Sequence, residues 1–384
     1  MPQNTSTYTL LYRVRLLLED GQSEAALQAL KAIHIQDGQQ REAAYLLGWS
    51  YALSKQWDEA MRVLSPLLPP AYQQEVSEAL SDRARHVLCL LWLGLAAYNL
   101  SYYEHATLHF NECLKIIRDR RVYLPTARIH ARFLLAKTCM MRNLYPTAVK
   151  QCERALRLCR LYEDIQISAL VYAVLCEAYY SCDRLAEAMV AGYEALRLSQ
   201  TFDNQLDVAN VHYWLGRVCF RQNDAQGALE HYEQSLALVS DGTAPFMHFL
   251  ACVALVDVHL AAQRFEDAKR FCQRALQQAD GLEGTYELGT VYQTLGKIAL
   301  AAAAQTDEAQ RQPLLEEAVG WFEQACQKFE PERDYVALAE VYDSQAQALE
   351  GLGRSEEAIA CWRSAFALVQ NKPEQDAMAF SVDL

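Results

Sequence analysis

Glycine and proline are scarce in this 384-residue chain, at 15 and 10 residues. A chain of helices requires that scarcity, because both residues weaken or break helix interiors. No run of eighteen apolar residues occurs, so no membrane span is indicated. Met1 to Thr9 is short and polar and lacks a charged-then-apolar leader. Basic excess is missing too: 35 Lys and Arg stand against 48 Asp and Glu, for a net charge of −13. That balance disfavours nonspecific binding to nucleic acid or to anionic membrane, both of which need basic surface. Arg118-Asp119-Arg120-Arg121 is short and internally neutralised, as expected of a solvated helix end. The twelve cysteines are spread singly with no C-x-x-C pair. They read as reduced, buried small residues of a cytoplasmic protein.

Chemistry-bearing patterns are equally sparse. No glycine-rich phosphate loop occurs, Gly351-Leu352-Gly353 being a turn. His105 and His109 stand one helical turn apart, but the stretch HATLH lacks the internal glutamate of a zinc-protease helix, which leaves them a structural role. His130, His212 and His259 are scattered, and no Ser/Cys-His-Asp arrangement is readable. No catalytic residue, metal site or cofactor is expected.

What is present is a repeat. Ala148, Ala188, Ala228 and Ala268 follow one another at intervals of forty residues. Twelve residues before each stands Ala136, Cys176, Gly216 or Val256, and seven after stands Ala155, Ala195, Ser235 or Ala275. Between the small positions the apolar spacing is helical: Tyr172, Leu175, Cys176 and Tyr179 recur at i, i+3, i+4 and i+7. Cys182-Asp183-Arg184 breaks the pattern, and a second helix is expected from Leu185, with Ala188, Gly192 and Ala195 on one stripe. Small side chains on both helices let the axes approach closely, while large neighbours fill the grooves. The unit is an antiparallel helical hairpin, and such units at fixed period stack into a solenoid.

The details resemble the tetratricopeptide repeat. Trp214-Leu215-Gly216 followed by Ala228, Tyr232 and Ser235 fits that family's pattern apart from the final serine. Tyr292, Leu295 and Gly296 with Ala318, Phe322 and Ala325 fit with about ten extra residues between the helices. Tyr342, Ala346 and Leu349 with Ala358, Trp362 and Ala365 close the series. Upstream, Leu47-Gly48, Tyr51 and Ala60 match, as do Leu93-Gly94, Ala106, Phe110 and Cys113. The resemblance implies an all-α, right-handed superhelical solenoid of about nine antiparallel hairpins. Its period is longer than the usual thirty-four residues. It is similar to the long-helix variants found in peptide-binding scaffolds and in bacterial peptide-sensing regulators.

The expected organisation is a frayed start over 1–9, a continuous array over 10–370 and a flexible tail over 371–384. The array is expected to be irregular at 64–82, where LSPLLPP cannot continue a helix, and at 301–313, where an Ala/Gln-rich insert lengthens its hairpin. No DNA-binding segment is expected before the array. The tail ends AMAFSVDL, a candidate latch through Phe380, Val382 and Leu384. The last helix carries Trp362, Phe366 and Val369 without an obvious cap, so end-to-end homodimers are allowed.

In the family that the chain resembles, first helices line a concave groove, and the residue after the small position points into it. Here those residues are Trp49, Leu95, Lys137, Glu177, Arg217, Asp257, Lys297 and Gln347, with charge alternating in sign from Lys137 to Lys297. They either bridge neighbouring helices as salt bridges or form a polar track for an extended peptide. Arg217 and Arg221 share a helix face with Tyr213 beside them. Asn210, Phe220, Glu177 and Tyr180 are expected close by. Arginines among aromatics suit oxyanion recognition. Tyr45, Trp49, Leu91, Leu95, Tyr98, Phe133, Met140 and Met141 make the N-terminal part apolar, with Leu91 and Phe133 assigned to repeat core. The Lys/Asn pairing of a carboxylate clamp is not matched. The expected function is noncatalytic binding of a peptide or extended protein segment, as a scaffold or as a peptide-gated regulator.

Overall fold

The computed structural model describes residues 7–33, 35, 39–68, 80–119, 122–199, 201, 204–239, 244–279, 285–332 and 335–370. The start at 1–6, most of the 64–82 connection, Arg120, Arg121, Gly281, Gly284 and the 371–384 tail lie outside those residues. Among the described residues there are eighteen α-helices and no strand. The chain divides into two compact units, Met1–Asp203 and Asn204–Leu384.

The first unit holds five hairpins: α1 (Thr7–Glu19) with α2 (Ser23–Ala32), α3 (Gln40–Leu53) with α4 (Trp57–Leu64), α5 (Leu80–Asn99) with α6 (Tyr103–Asp119), α7 (Pro125–Met141) with α8 (Tyr145–Tyr162), and α9 (Ile165–Ser181) with α10 (Leu185–Ser199). The second holds four: α11 (Gln205–Arg221) with α12 (Ala225–Leu238), α13 (Pro245–Ala261) with α14 (Phe265–Ala279), α15 (Thr285–Ala303) with α16 (Glu308–Glu332), and α17 (Tyr335–Gly351) with α18 (Ser355–Gln370). Within a unit each second helix packs on the next first helix, and first helices such as α5, α7 and α9 touch one another in turn. After α4, Ser65–Leu67 tightens into a single 3-10 turn at Pro66. The Ala/Gln-rich insert lies in the longest hairpin, of 19 and 25 residues.

Local sequence sets where helices begin and end. Proline opens α7, α8 and α13 at positions where its missing N–H costs nothing. Asp164 and Asp224 cap α9 and α12, each accepting a backbone N–H at 3.0 Å. Eight of the nine hairpin turns pass through one left-handed residue: Lys55, Ser101, Asn143, Asp183, Asn223 and Gln263, or glycine at 21 and 353. The turn then closes as a Schellman motif, with Leu144 N–H to Cys139 C=O at 2.8 Å and Arg184 N–H to Tyr179 C=O at 2.9 Å. Gln263 is exposed and carries φ +57° without a side-chain reason. Gln263→Gly is therefore expected to raise the urea midpoint by roughly 1 kcal/mol of stability, and Gln263→Val to lower it by at least as much.

The small-residue seam works by compensation across each hairpin. Sixteen residues after the small first-helix position stands its opposite number on the second helix. Where the first is glycine the second is large. A Cβ on Gly216 would sit 2.5 Å from the Tyr232 ring, and one on Gly48 or Gly94 would collide with Leu64 or Phe110. Gly296 meets Phe322 in the same way, across the longer insert. Where the first is Cys176 the second is Gly192, and both are buried. Tyr232, Phe110 and Phe322 are among the largest fully buried side chains. Ser235, which departs from the repeat pattern, is buried and donates to the Ala209 carbonyl across its hairpin at 2.8 Å.

Candidate functional site

The residues that follow each small first-helix position differ in exposure along the two units. In the first, Trp49, Leu95, Lys137 and Glu177 are half-buried, and in the second Arg217 is half-buried and Asp257, Lys297 and Gln347 are exposed. From Leu95 onward the residues on either side of each are buried. One residue per turn-pair of each first helix therefore leaves the hairpin seam, because its neighbours at ±1 point into it.

In the first unit the row begins apolar. Trp49 packs at 5.9 Å between ring centroids on buried Tyr45 and on Trp92. Its indole N–H meets no acceptor among the described residues. Further along, Lys137 holds its ammonium 5.4 Å above the Tyr98 ring and 5.9 Å from that of Phe133, a cation–π seat. Glu177 follows. Loss of water pushes its carboxyl up to about 7, with Lys137 pulling the other way. Tyr98 is raised as well, first by burial, then by Tyr103 and Glu177. Tyr180 is only 9% exposed, so it offers the row little beyond its edge.

In the second unit Arg217 donates to the Tyr213 hydroxyl at 2.9 Å and lies 5.8 Å from the Tyr213 and Trp214 rings. Tyr213 is buried, Asn210 and Phe220 are half-buried, and Arg221 ends α11 in the open. Asp257 is exposed. Desolvation raises its carboxyl, with Arg217 and then Lys297 opposing. Lys297 reaches 4.0 Å from Glu340, and Gln293 also bonds that carboxylate. Gln347 bonds Asp343 on its own helix.

The charged residues therefore form short alternating ladders, Lys137–Glu177 in one unit and Arg217–Asp257–Lys297 in the other. Trp92, Trp214 and Glu340 belong beside them; Trp214 was read from sequence only as part of the repeat motif, and Trp92 and Glu340 were not singled out. Trp92 lies one turn before Leu95 and Glu340 two turns before Gln347, so helical spacing from the row could have found them. The histidines stand elsewhere: His105 is exposed, His109 is half-buried and its pKa is lowered by desolvation and then by His105. Among the described residues no group of three or more His, Cys, Asp and Glu side chains could hold a metal ion, and no helix is long and apolar enough to cross a membrane.

Two matches to the tetratricopeptide-repeat family model cover residues 17–82 and 209–241. Those two segments are tetratricopeptide repeats. No curated protein matches the sequence of this chain. Solved structures share the tetratricopeptide-repeat fold along almost its whole length. The apo form of the quorum sensor NprR from B. thuringiensis is 14% identical, with a TM-score of 0.69 over 94% of this chain and 97% of that one. NprR in complex with its cognate peptide NprX is 15% identical, with a TM-score of 0.57 over 94% and 99%. A Rap protein complexed with Competence and Sporulation Factor is 12% identical, with a TM-score of 0.61 over 95% and 98%. At these identities the likeness establishes the repeat fold.

Proposed function

We propose that the first-helix face binds a peptide or an extended protein segment, and that the protein is a noncatalytic binding module. One observation carries this reading. Leu95 and the charged residues from Lys137 to Lys297 stand accessible between buried neighbours, and the carboxyls of Glu177 and Asp257 are kept there despite desolvation rather than replaced by apolar packing. Unpaired polar groups in a ligand's main chain or terminus would find partners along such a row, and the Tyr45–Trp49–Trp92 cluster would take an apolar side chain. The likeness to NprR, solved with its cognate peptide, supports the same reading.

The test uses peptides selected on the immobilised wild-type protein. Arg217→Ala with Arg221→Ala is expected to weaken binding of those that compete for this face by about tenfold or more, with an unchanged circular dichroism spectrum. Unaltered affinity would remove the two arginines from the site. A gated form of the same function, in which a bound peptide changes the dimensions of the array, is supported by the likeness to NprR, a sensor solved with and without its peptide. Small-angle scattering separates the two: a peptide-dependent change favours gating, and unchanged dimensions favour a scaffold.

A further inference from the structure

A second charged surface lies on the hairpin of α7 and α8, away from the first-helix row. Arg128 and Arg132 stand one turn apart on α7, and Arg154 and Arg157 stand one turn apart on α8. Arg132 lies roughly 140° around α7 from Lys137, at 100° per residue, and so faces another way. Its guanidinium donates to Gln151 Oε1 at 2.9 Å, one turn before Arg154, which ties the two arginine pairs into one cluster. Arg132 is half-buried, while Arg154 and Arg157 are exposed. Among the described residues no carboxylate comes within ion-pair distance of Arg128, Arg132, Arg154 or Arg157. Elsewhere on this acidic protein, arginines such as Arg118, Arg184 and Arg197 each hold a carboxylate a few residues away. Desolvation, followed by repulsion from Arg128, Arg154 and Arg157, pushes Arg132 down to about 10.

Beside the cluster, a cavity of about 600 Å³ opens between α8 and α10 on the floor of α9. Its wall is apolar at Leu156, Leu175 and Val190, and Arg157 and Arg160 stand on its rim. Arg160 donates to the Tyr172 hydroxyl at 3.1 Å. The acidic lining residues are already engaged: Glu153 accepts from Tyr179 at 3.3 Å, and Glu187 is held by Arg184 at 2.9 Å. The volume lies in the range of small-ligand sites, and Arg157 and Arg160 share its lining with Glu153 and Glu187.

We propose that this surface docks an acidic segment of a partner protein, with its carboxylates on Arg128, Arg132, Arg154 and Arg157 and an apolar side chain in the α8–α10 cavity. Several guanidinium forks spread over two helices match several carboxylates rather than one small anion. The net charge of −13 opposes a long nucleic-acid polyanion on the same molecule. The site is independent of the first-helix face, and each can fail without the other.

The probe is a short fluorescein-labelled glutamate-rich peptide around a central Leu-Phe pair, titrated with the full-length protein by anisotropy at low and high salt. Binding is expected at low salt and is expected to weaken steeply as salt rises. Arg154→Gln with Arg157→Gln, and separately Arg132→Gln, should each lose roughly tenfold or more in affinity. Arg154 and Arg157 are exposed, so their variant should melt no lower than wild type, relief of repulsion acting in its favour. Affinity within about twofold of wild type in both arginine-cluster variants overturns the proposal. So does full displacement by inorganic phosphate at matched ionic strength, which marks a simple anion site. Tighter binding of a single-stranded oligonucleotide than of the peptide overturns it as well.

Discussion

Tyr232→Cys is expected to lose roughly 3–5 kcal/mol of stability, as removal of a large buried aromatic does elsewhere, and Gly216→Ala roughly 1–3 kcal/mol by overpacking. The two costs arise at one contact. Tyr232 is 1% exposed and its ring fills the space that a Cβ on Gly216 would occupy at 2.5 Å. They should therefore be strongly non-additive. The next hairpin supplies the compensated pair, since Val256 and Cys272 stand at the equivalent positions and are both buried. Gly216→Val combined with Tyr232→Cys should accordingly recover at least half of the loss from Tyr232→Cys alone. Urea unfolding of the single and double variants measures this. Additive losses would show that the seam is not set by volume exchange across the hairpin. Because repeat units depend on their neighbours, the loss should appear first as local opening around α11 and α12 in hydrogen exchange.

Glu177→Gln is expected to stabilise the protein at pH 8 by about 2 kcal/mol and to leave it unchanged near pH 4. The folded protein holds this carboxyl at about 7, against 4.5 for the free group. A raised acid pKa means that ionisation favours the unfolded chain. The stability of the neutral form is thus fully present below about pH 4.5 and is lost as pH rises through about 7. The full shift would correspond to about 3 kcal/mol, and partial solvent access reduces that. Lys137 opposes the shift without cancelling it. The same variant should bind first-helix-face peptides more weakly at pH 8, since it removes one end of the Lys137–Glu177 pair. A stability gain joined to a binding loss is the trade expected where a charge is retained for a ligand. Equal pH profiles for wild type and variant would show that Glu177 ionises normally.

Much of the molecule was legible before any coordinates. Ala148, Ala188, Ala228 and Ala268 announce the period, because the spacing of small residues is written along the chain. The apolar spacing on α9 and the break at Cys182 to Arg184 define a hairpin for the same reason. The row from Trp49 to Lys297 came from the family resemblance, read one residue past each small position. Even the serine at 235 was visible as an exception, although its bond to Ala209 was not.

Chain-local spacing could not disclose which distant side chains would share one environment. Trp92 joins Trp49 from another hairpin, and Lys137 settles over Tyr98 from a helix two elements away. The raised carboxyl of Glu177 depends on water excluded by its surroundings, a property no residue carries alone. Arg128, Arg132, Arg154 and Arg157 look like ordinary solvated charges in the sequence and become one repelling cluster only when α7 and α8 lie side by side. Periodicity is written in neighbours along the chain and so survives in the sequence. Field, desolvation and ring stacking depend on distance in space, and the tertiary packing alone sets those distances.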